Sequence, residues 1–323
     1  MRRYGGFLVL VALVVLAPIV FPGNYFVTVV GVTIAFNALI AVGLNLLMGY
    51  TGQISLGHAA FFGIGAYSSG LLTTLMGWNA WLALLAGLLA AWLVAEMIAR
   101  PILRLKGHYL AMATLGFGII INILMVQPTH ITGGPDGLAD IPTLTLFGWA
   151  IDSDIRWYGV ATGVMLLGVW LALNLINSRI GLALRAVHGS EVGAQMMGVD
   201  IERIKVRVFV VSALFAALAG SLFAHQQGFI SPDSFSFHFS IELVVMVVLG
   251  GMASTYGAVF GAAVLTLLPE TLVVFEEYEV LILGAIMMGI MIFLPQGLWV
   301  SLSQKVKQII ASNRSTTNPS AIS

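Results

Sequence analysis

Ionisable side chains are scarce in the apolar stretches of this chain, and each one that occurs there is a candidate for chemistry. His58, His225 and Glu242 stand inside long apolar runs, and Glu96 stands four residues before Arg100. An ionisable group at membrane depth is by default a functional candidate, as a proton relay, an ion ligand or a substrate contact. Glu96 and Arg100 have the spacing of an ion pair near a helix end. His225 and Glu242 fall toward the outer ends of their stretches, where water reaches. They read as a solvated or mutually paired structural couple rather than a relay. No carboxylate stands at mid-membrane, where a proton-coupled carrier would place one. No Gly-Lys-Ser/Thr follows a glycine-rich turn, so the chain has no nucleotide-binding loop. The absence of cysteine excludes thiol catalysis, disulfides and thiolate metal sites. No enzyme active site, bound cofactor or metal site emerges.

The densest polar segment reads GYTGQISLGH over residues 49–58 and continues AAFFGIGAY to Tyr67. Gly49, Gly52 and Gly57 loosen a helix here. Asn45, Gln53, Ser55 and His58 are the side chains that could line a polar path. Backbone that is not helical is tolerated at membrane depth only where protein or a water-filled cavity covers it. Ser55, Ala59 and Gly63 recur at a spacing of four, a small-residue stripe of the kind that lets membrane helices pack backbone to backbone. For 57–70 taken alone, packing is the favoured reading. For Gln53–Ser55, path lining and a tightly packed helix start stand level. A second glycine-broken segment, GGMASTYG over 250–257 and running into Gly261, lies in the other half. Paired interruptions of this kind point to an internal repeat around a central pathway.

The elements that must position these groups follow from composition and charge. Apolar residues make up 59% of the chain and charged ones 9%, against about 25% charged in a soluble domain. A helix needs about 20 apolar residues to cross the hydrocarbon core. The candidate spans are 7–21, 26–48, 54–76, 79–99, 108–127, 158–177, 206–230, 237–249, 254–275 and 280–294. Of these, 237–249 is short enough to be a half-helix that turns back at Gly250-Gly251. The chain is thus an all-α polytopic membrane protein with about ten transmembrane helices. Of the 14 Lys and Arg residues, all but Arg156 fall in four patches: 2–3, 100–106, 179–207 and 305–314. Positive charge marks cytoplasmic segments, and ten crossings put every patch inside with both termini. The acidic segments 128–157 and 270–279 then fall outside. Arg2 and Arg3 before 7–21 resemble a secretory signal, but Pro18 and Pro22 occupy the place of a cleavage site, which favours a retained helix. Nucleic-acid binding has no support.

Residues 1–297 therefore form one transmembrane domain. Residues 298–323 begin as an interfacial helix on the inner leaflet and end as a disordered cytoplasmic tail. The outer loop 128–157 carries the turn-rich TGGPDG over 132–137, in which Gly133, Gly134 and Asp136 could dock an external partner or cap a pore mouth. The inner segment 178–206 holds a short helix over 191–197 closed by Gly198. Met196 and Met197 on that helix suit insertion into a partner's groove, while the bland alternative is a solvated loop. The missing energy source favours the partner.

Three motifs carry a family resemblance: GQISLGHAAF over 52–61, TGGPDG over 132–137, and Gly198-Val199-Asp200 with the helix over 205–220. Together they resemble the permease subunits of branched-chain amino-acid ABC importers, the second of the paired permeases more than its sibling, over about 45–295. The resemblance implies a type II-like importer fold and a bacterial inner-membrane location. It also implies a homologous permease partner, two cytoplasmic ATPases that use ATP and Mg, and a periplasmic solute-binding protein. It makes 189–200 the coupling helix, with Glu191, Gly193, Ala194, Met197, Gly198 and Asp200 as its working residues and with Ala194 and Gly198 bracketing a helix seated in an ATPase groove. The chain departs from the family pattern at Val192-Gly193 and at Gly198, which leaves the part played by Glu191 open. Urea and short-amide importers share two of the motifs. A stand-alone channel or secondary carrier would need its own gate or ion site, and a membrane scaffold would have no need of two interrupted segments.

Overall fold

The computed structural model describes residues 5–146 and 149–272, with scattered positions between 281 and 301. Helices dominate: α1 (Gly5–Val20), α2 (Tyr25–Thr28), α3 (Val30–Thr51), α4 (His58–Thr74), α5 (Ala80–Ile102), α6 (His108–Val126), α7 (Thr129–Thr132), α8 (Asp154–Ile176), α9 (Arg179–Gly189), α10 (Glu191–Met196), α11 (Ile201–Gln227), α12 (Phe237–Gly250) and α13 (Thr255–Leu272). A two-stranded hairpin, β1 (Thr145–Leu146) and β2 (Trp149–Ala150), decorates the long loop before α8. By length and composition, five helical stretches suffice to cross a membrane: Tyr25–Thr51, Ala80–Ile102, His108–Val126, Asp154–Ile176 and Ile201–Gln227. Gly5–Val20 and Phe237–Gly250 are shorter apolar helices. The chain is thus a helical, multi-pass membrane protein. Each predicted apolar stretch up to residue 272 contains a helix. The stretch 280–294, most of the acidic 270–279 segment and the tail from 302 lie largely or wholly outside the described residues.

Local chemistry sets the helix ends. Asn24 and Asn79 cap α2 and α5 by accepting the N–H groups of Phe26 and Trp81, both at 2.9 Å. Asp200 caps α11 through the Arg203 N–H at 3.1 Å, which moves that helix start five residues ahead of the apolar stretch beginning at 206. Gly52 and Gly228 close α3 and α11 in left-handed conformation, at φ +71° and +68°. Pro18, inside α1, has no N–H to donate to the Val14 carbonyl, and the Tyr158 hydroxyl of α8 donates to that carbonyl instead at 2.8 Å.

The core is the crossing of α4 and α11, flanked by α3 and α5. Any side chain at Gly65 would overlap the Ala217 backbone, and any at Gly220 would overlap the Phe62 carbonyl. The helices thus meet backbone to backbone, as small residues permit in membranes. This is not the stripe expected from the sequence. Ser55, Ala59 and Gly63 face other partners, Gly63 lying against Met125 and Phe235. The small residues that meet α11 are Gly65, Ala66 and Ser69. Gly250 with Gly257 makes a second close approach, between α12 and α13.

α12 begins deep in the bundle. After α11 the chain pairs with the 128–157 loop at Leu138–Ile230, then turns back into the bundle. Phe235 packs against Phe62 and Tyr67 with ring centroids 5.2 and 5.7 Å apart, halfway along α4. The Ser240 hydroxyl then accepts the Ala59 N–H at 3.2 Å, at the first turn of α4. Fourteen residues extend only about 21 Å, short of the roughly 30 Å core. Gly251 at φ +111° and Ala253 at φ +59° turn the chain into α13. Residues 237–249 are therefore a short helix that starts at depth after a 3-10 turn over Pro232–Phe235, and Glu242 is not at an outer helix end as its sequence position suggested.

Candidate coupling and translocation sites

The segment 178–206 is mostly helical, whereas the sequence indicated one short helix. Ser190 is the joint: it ends α9, and its hydroxyl accepts the Gly193 N–H at 3.1 Å to start α10. α10 closes with Val199 N–H donating to Ala194 O at 3.1 Å and with Gly198 at φ +80°. α9 is anchored by buried Leu184 and Val187 and by the Arg185 guanidinium, 5.8 Å from the centre of the Tyr50 ring. Arg100 pairs with Glu96 at 3.3 Å, as their spacing predicts.

α10 has two faces. Ala194 is 3% exposed, whereas Val192, Met196 and Met197 are 70%, 85% and 85% exposed. Ala194 therefore packs against its own chain, where the sequence reading had seated it in a partner's groove. The outward face is Val192, Met196 and Met197. Glu191 fixes this orientation. One carboxylate oxygen is 2.6 Å from the Lys205 ammonium and the other 3.3 Å from that of Lys106. Burial raises the Glu191 pKa, but the hydrogen bond and charge of Lys205, then those of Lys106, outweigh it and hold the carboxyl below its ordinary range. Asp200 accepts the Arg203 N–H and pairs with its guanidinium at 2.9 Å. These contacts gather basic residues from 100–106 and 179–207 at one end of the molecule. A cleft of about 620 Å³ there is lined by Glu96, Arg100, Asp200, Glu202, Arg203, Val206 and Arg207.

The four candidate path residues form a polar seam near the same end. The Asn45 side-chain oxygen accepts the Ala253 N–H at 3.0 Å, joining the two glycine-broken segments. Gly49 is pressed against both groups, leaving no room for a side chain. Ser55 Oγ is 3.1 Å from His58 Nδ1, and His58 Nε2 is 2.6 Å from Ser212 Oγ on α11. The Leu56 N–H, freed by the break before α4, donates to Thr114 Oγ1 at 3.0 Å. Gln53 donates to the Thr51 carbonyl at 3.3 Å, and its buried Oε1 has no partner among the described residues. Asn45, Ser55 and His58 are thus closed within this chain, and Gln53 alone of the four keeps an unmatched acceptor.

At the opposite end, Gly133, Gly134 and Gly137 adopt φ of +77°, +60° and +78°. A side chain at Gly133 would overlap the Gly137 carbonyl, so the tight turn requires glycine. Pro135 and Asp136 project outward. The loop is stitched to α11 by the Leu138–Ile230 bridge, by Ile141 N–H donating to Gly228 O at 3.1 Å, and by His225. His225 is fully buried, with Nδ1 2.7 Å from Pro142 O and Nε2 2.7 Å from Ser69 Oγ. The expected solvated or mutual pair of His225 and Glu242 does not exist. Glu242 pairs instead with His238, one turn back, at 3.3 Å.

Sequence reasoning missed Ser69, Ser212, Lys106, Lys205 and His238. A signal existed for three of them. Ser212 and Lys205 fall on the buried stripe Lys205, Val208, Ser212 of α11, and Ser69 falls on the matching stripe of α4. A polar group on such a stripe requires a partner.

A multi-pass helical bundle interrupted at two glycine-rich segments, with an exposed apolar helix at its basic end, has the build of a transport permease. The sequence matches the family described as branched-chain amino acid transport system, permease component, over residues 25–291, and the chain belongs to that family. It is 38% identical over 284 residues to the high-affinity branched-chain amino acid transport system permease protein LivM of Escherichia coli (strain K12), covering 80% of this chain and 67% of LivM. It is 26% identical over 292 residues to LivH of Salmonella typhimurium, a permease protein of the same transport system, covering 83% and 92%. It is 28% identical over 249 residues to the autoinducer 2 import system permease protein LsrC of Yersinia enterocolitica, covering 74% and 63%. No solved structure matches the chain.

Proposed function

We propose that this chain is one of two homologous permease subunits of an ATP-driven importer for branched-chain amino acids in the bacterial inner membrane. The observation that carries the reading is the 38% identity with LivM, above the 26% with LivH, which places the chain on the LivM side of the pair. The further parts follow from the chemistry of the chain. With no nucleotide loop, it draws on two cytoplasmic ATPases, which bind the ATP and Mg. α10, rigidly mounted with Val192, Met196 and Met197 outward, is the coupling helix that enters an ATPase groove. The TGGPDG turn, with Gly133, Gly134 and Asp136, receives a periplasmic solute-binding protein. About ten crossings, both termini cytoplasmic, an internal repeat, a permease domain over 1–297 and a tail over 298–323 complete the arrangement.

The test is reconstitution in proteoliposomes with the paired permease, the ATPases and the binding protein. Leucine-dependent ATP hydrolysis and uptake are expected, and Met196→Glu with Met197→Glu should abolish the stimulation while the chain remains inserted. A purified chain that moves solute alone, without ATP, would establish a secondary carrier instead. Single-cysteine reporters in the cysteine-free background test orientation: position 190 should label only from the cytoplasmic side.

A further inference from the structure

Among the described residues, the charged pair on α12 is left unabsorbed by the coupling site, by the polar seam and by the contacts of buried His225. His238 and Glu242 are one helical turn apart, with side chains 82% and 43% exposed on the surface of the chain. Ile241 is exposed and Val245 half-buried on the same face. Because Phe235 packs halfway along α4 and Ser240 bonds to Ala59, this face lies at the depth of the first turns of α4, not at the outer surface. Elsewhere the exposed surface at depth is aliphatic, as at Leu85, Leu89 and Leu93 of α5, and suits lipid. A carboxylate is not held against lipid; ionisable groups in spans face protein or a water-filled cavity.

We infer that the His238–Ile241–Glu242–Val245 face of α12 lines the solute path, and that the Glu242 carboxylate receives the ammonium group of the passing solute. The inference rests on the amino-acid permease reading above and adds to it a named contact. Three features converge. Among the described residues only Glu242 Oε1 is engaged, by His238 on its own face, so the second oxygen is free to accept a hydrogen bond. Ile241 and Val245 flank it with branched apolar surface, which matches a solute carrying an ammonium group beside a branched aliphatic side chain. The helix is shorter than the hydrocarbon core and starts at depth, one residue after a 3-10 turn over Pro232–Phe235, and interrupted helices of this kind place solute contacts near mid-membrane in transporters. One charge-assisted hydrogen bond contributes roughly tenfold or more in affinity, enough to draw a zwitterion in and weak enough to release it.

The complete complex provides the test. Ile241→Cys, beside Glu242, should react with small water-soluble methanethiosulfonates, whereas Leu89→Cys on α5 should not. At Ile241→Cys the cationic reagent should react faster than the anionic one, and Glu242→Gln should bring the two rates together. Leucine uptake by the Glu242→Gln complex should fall about tenfold, mainly through KM, with Glu242→Asp intermediate. The inference is overturned if Ile241→Cys is as inert as Leu89→Cys, or if the rate ratio ignores Glu242→Gln. It is also overturned if that variant fails to assemble, since the carboxylate would then hold the second permease rather than the solute. Failure of the functional reading is a separate outcome: the unmodified complex would import no branched-chain amino acid. If it imports leucine and Glu242→Gln imports equally well, the inference alone fails.

Discussion

Removing the Glu191 charge should lift α10 from its seat, and the size of the effect follows from the exposure of its partners. The Lys205 side chain is 4% exposed and its ammonium lies 2.6 Å from Glu191, itself 25% exposed. Breaking a buried ion pair from one side costs about 3–5 kcal/mol, because the surviving charge is left without a partner. The quarter exposure of Glu191 lets water reach the site, which lowers the figure to about 2–3 kcal/mol. Lys106, 74% exposed, adds between about 0 and 1 kcal/mol. The reporter is Ala194→Cys, a buried position whose thiol reacts only when α10 opens locally. A loss of about 2–3 kcal/mol in Glu191→Gln corresponds to labelling about 30- to 150-fold faster. Lys106→Met should accelerate labelling by about fivefold at most. Glu191→Leu combined with Lys205→Met should return close to the parent rate, because no charge remains buried alone. Parent-like labelling of Glu191→Gln, or a double variant as fast as the single one, would refute the claim that this ion pair seats α10.

Further outcomes follow from the same geometry. The depressed Glu191 pKa means that its contribution to seating is fully present above the ordinary carboxylate range and is lost as pH falls through the lowered value; hydrogen exchange of 190–199, corrected for intrinsic rates, should show protection persisting to lower pH in the parent than a free carboxyl would allow. Gly198→Val should strain a residue at φ +80° by about 1–2 kcal/mol with no clash, so the chain inserts normally but loses stimulated ATP hydrolysis, whereas Gly198→Asn keeps it. Gly65→Leu and Gly220→Leu should abolish accumulation of folded chain, whereas Gly116→Leu, with open space around it, should be tolerated, as read by membrane abundance and gel filtration. Ser212→Ala and Glu191→Gln should combine less than additively in solute-stimulated ATP hydrolysis, because both interrupt one series of contacts.

Which features were legible in the sequence depended on how local their causes are. Helix positions followed from apolar runs, and one end from a glycine: Gly198 takes the left-handed conformation of a C-cap, whereas Gly228, which does the same for α11, lies inside the apolar stretch 206–230. The α10 helix and the tight 132–137 turn were readable for the same reason. Depth was not. Span counting assumes that each helix runs from surface to surface, which puts Glu242 at an outer end, whereas α12 starts halfway down α4. Partner choice was also hidden. Ser69 with His225, and His58 with Ser212, are separated by about 150 residues along the chain, and no spacing rule connects them. Ala194 looked like a contact residue because a six-residue helix gives too little periodicity to decide which side faces inward.

These long-range pairs have a mechanical consequence. From the coupling segment to the charged face of α12, each step is a directional contact between rigid helices. Glu191 of α10 holds Lys205 of α11. Seven residues on, Ser212 of α11 meets His58 of α4, and the next residue, Ala59, donates its N–H to Ser240 of α12, two residues before Glu242. Helices packed backbone to backbone, as α4 and α11 are, shift as bodies rather than deform. Contiguity alone is not coupling, but it limits how α10 can move. A force on Met196 and Met197, as the proposed ATPase contact would exert, cannot displace α10 independently without either breaking the Glu191–Lys205 pair or carrying α11 with it. The first alternative costs about 2–3 kcal/mol in a seat that the second leaves intact. Motion of α11 then reaches the first turns of α4 and α12 together, where the seam and the Glu242 face both lie.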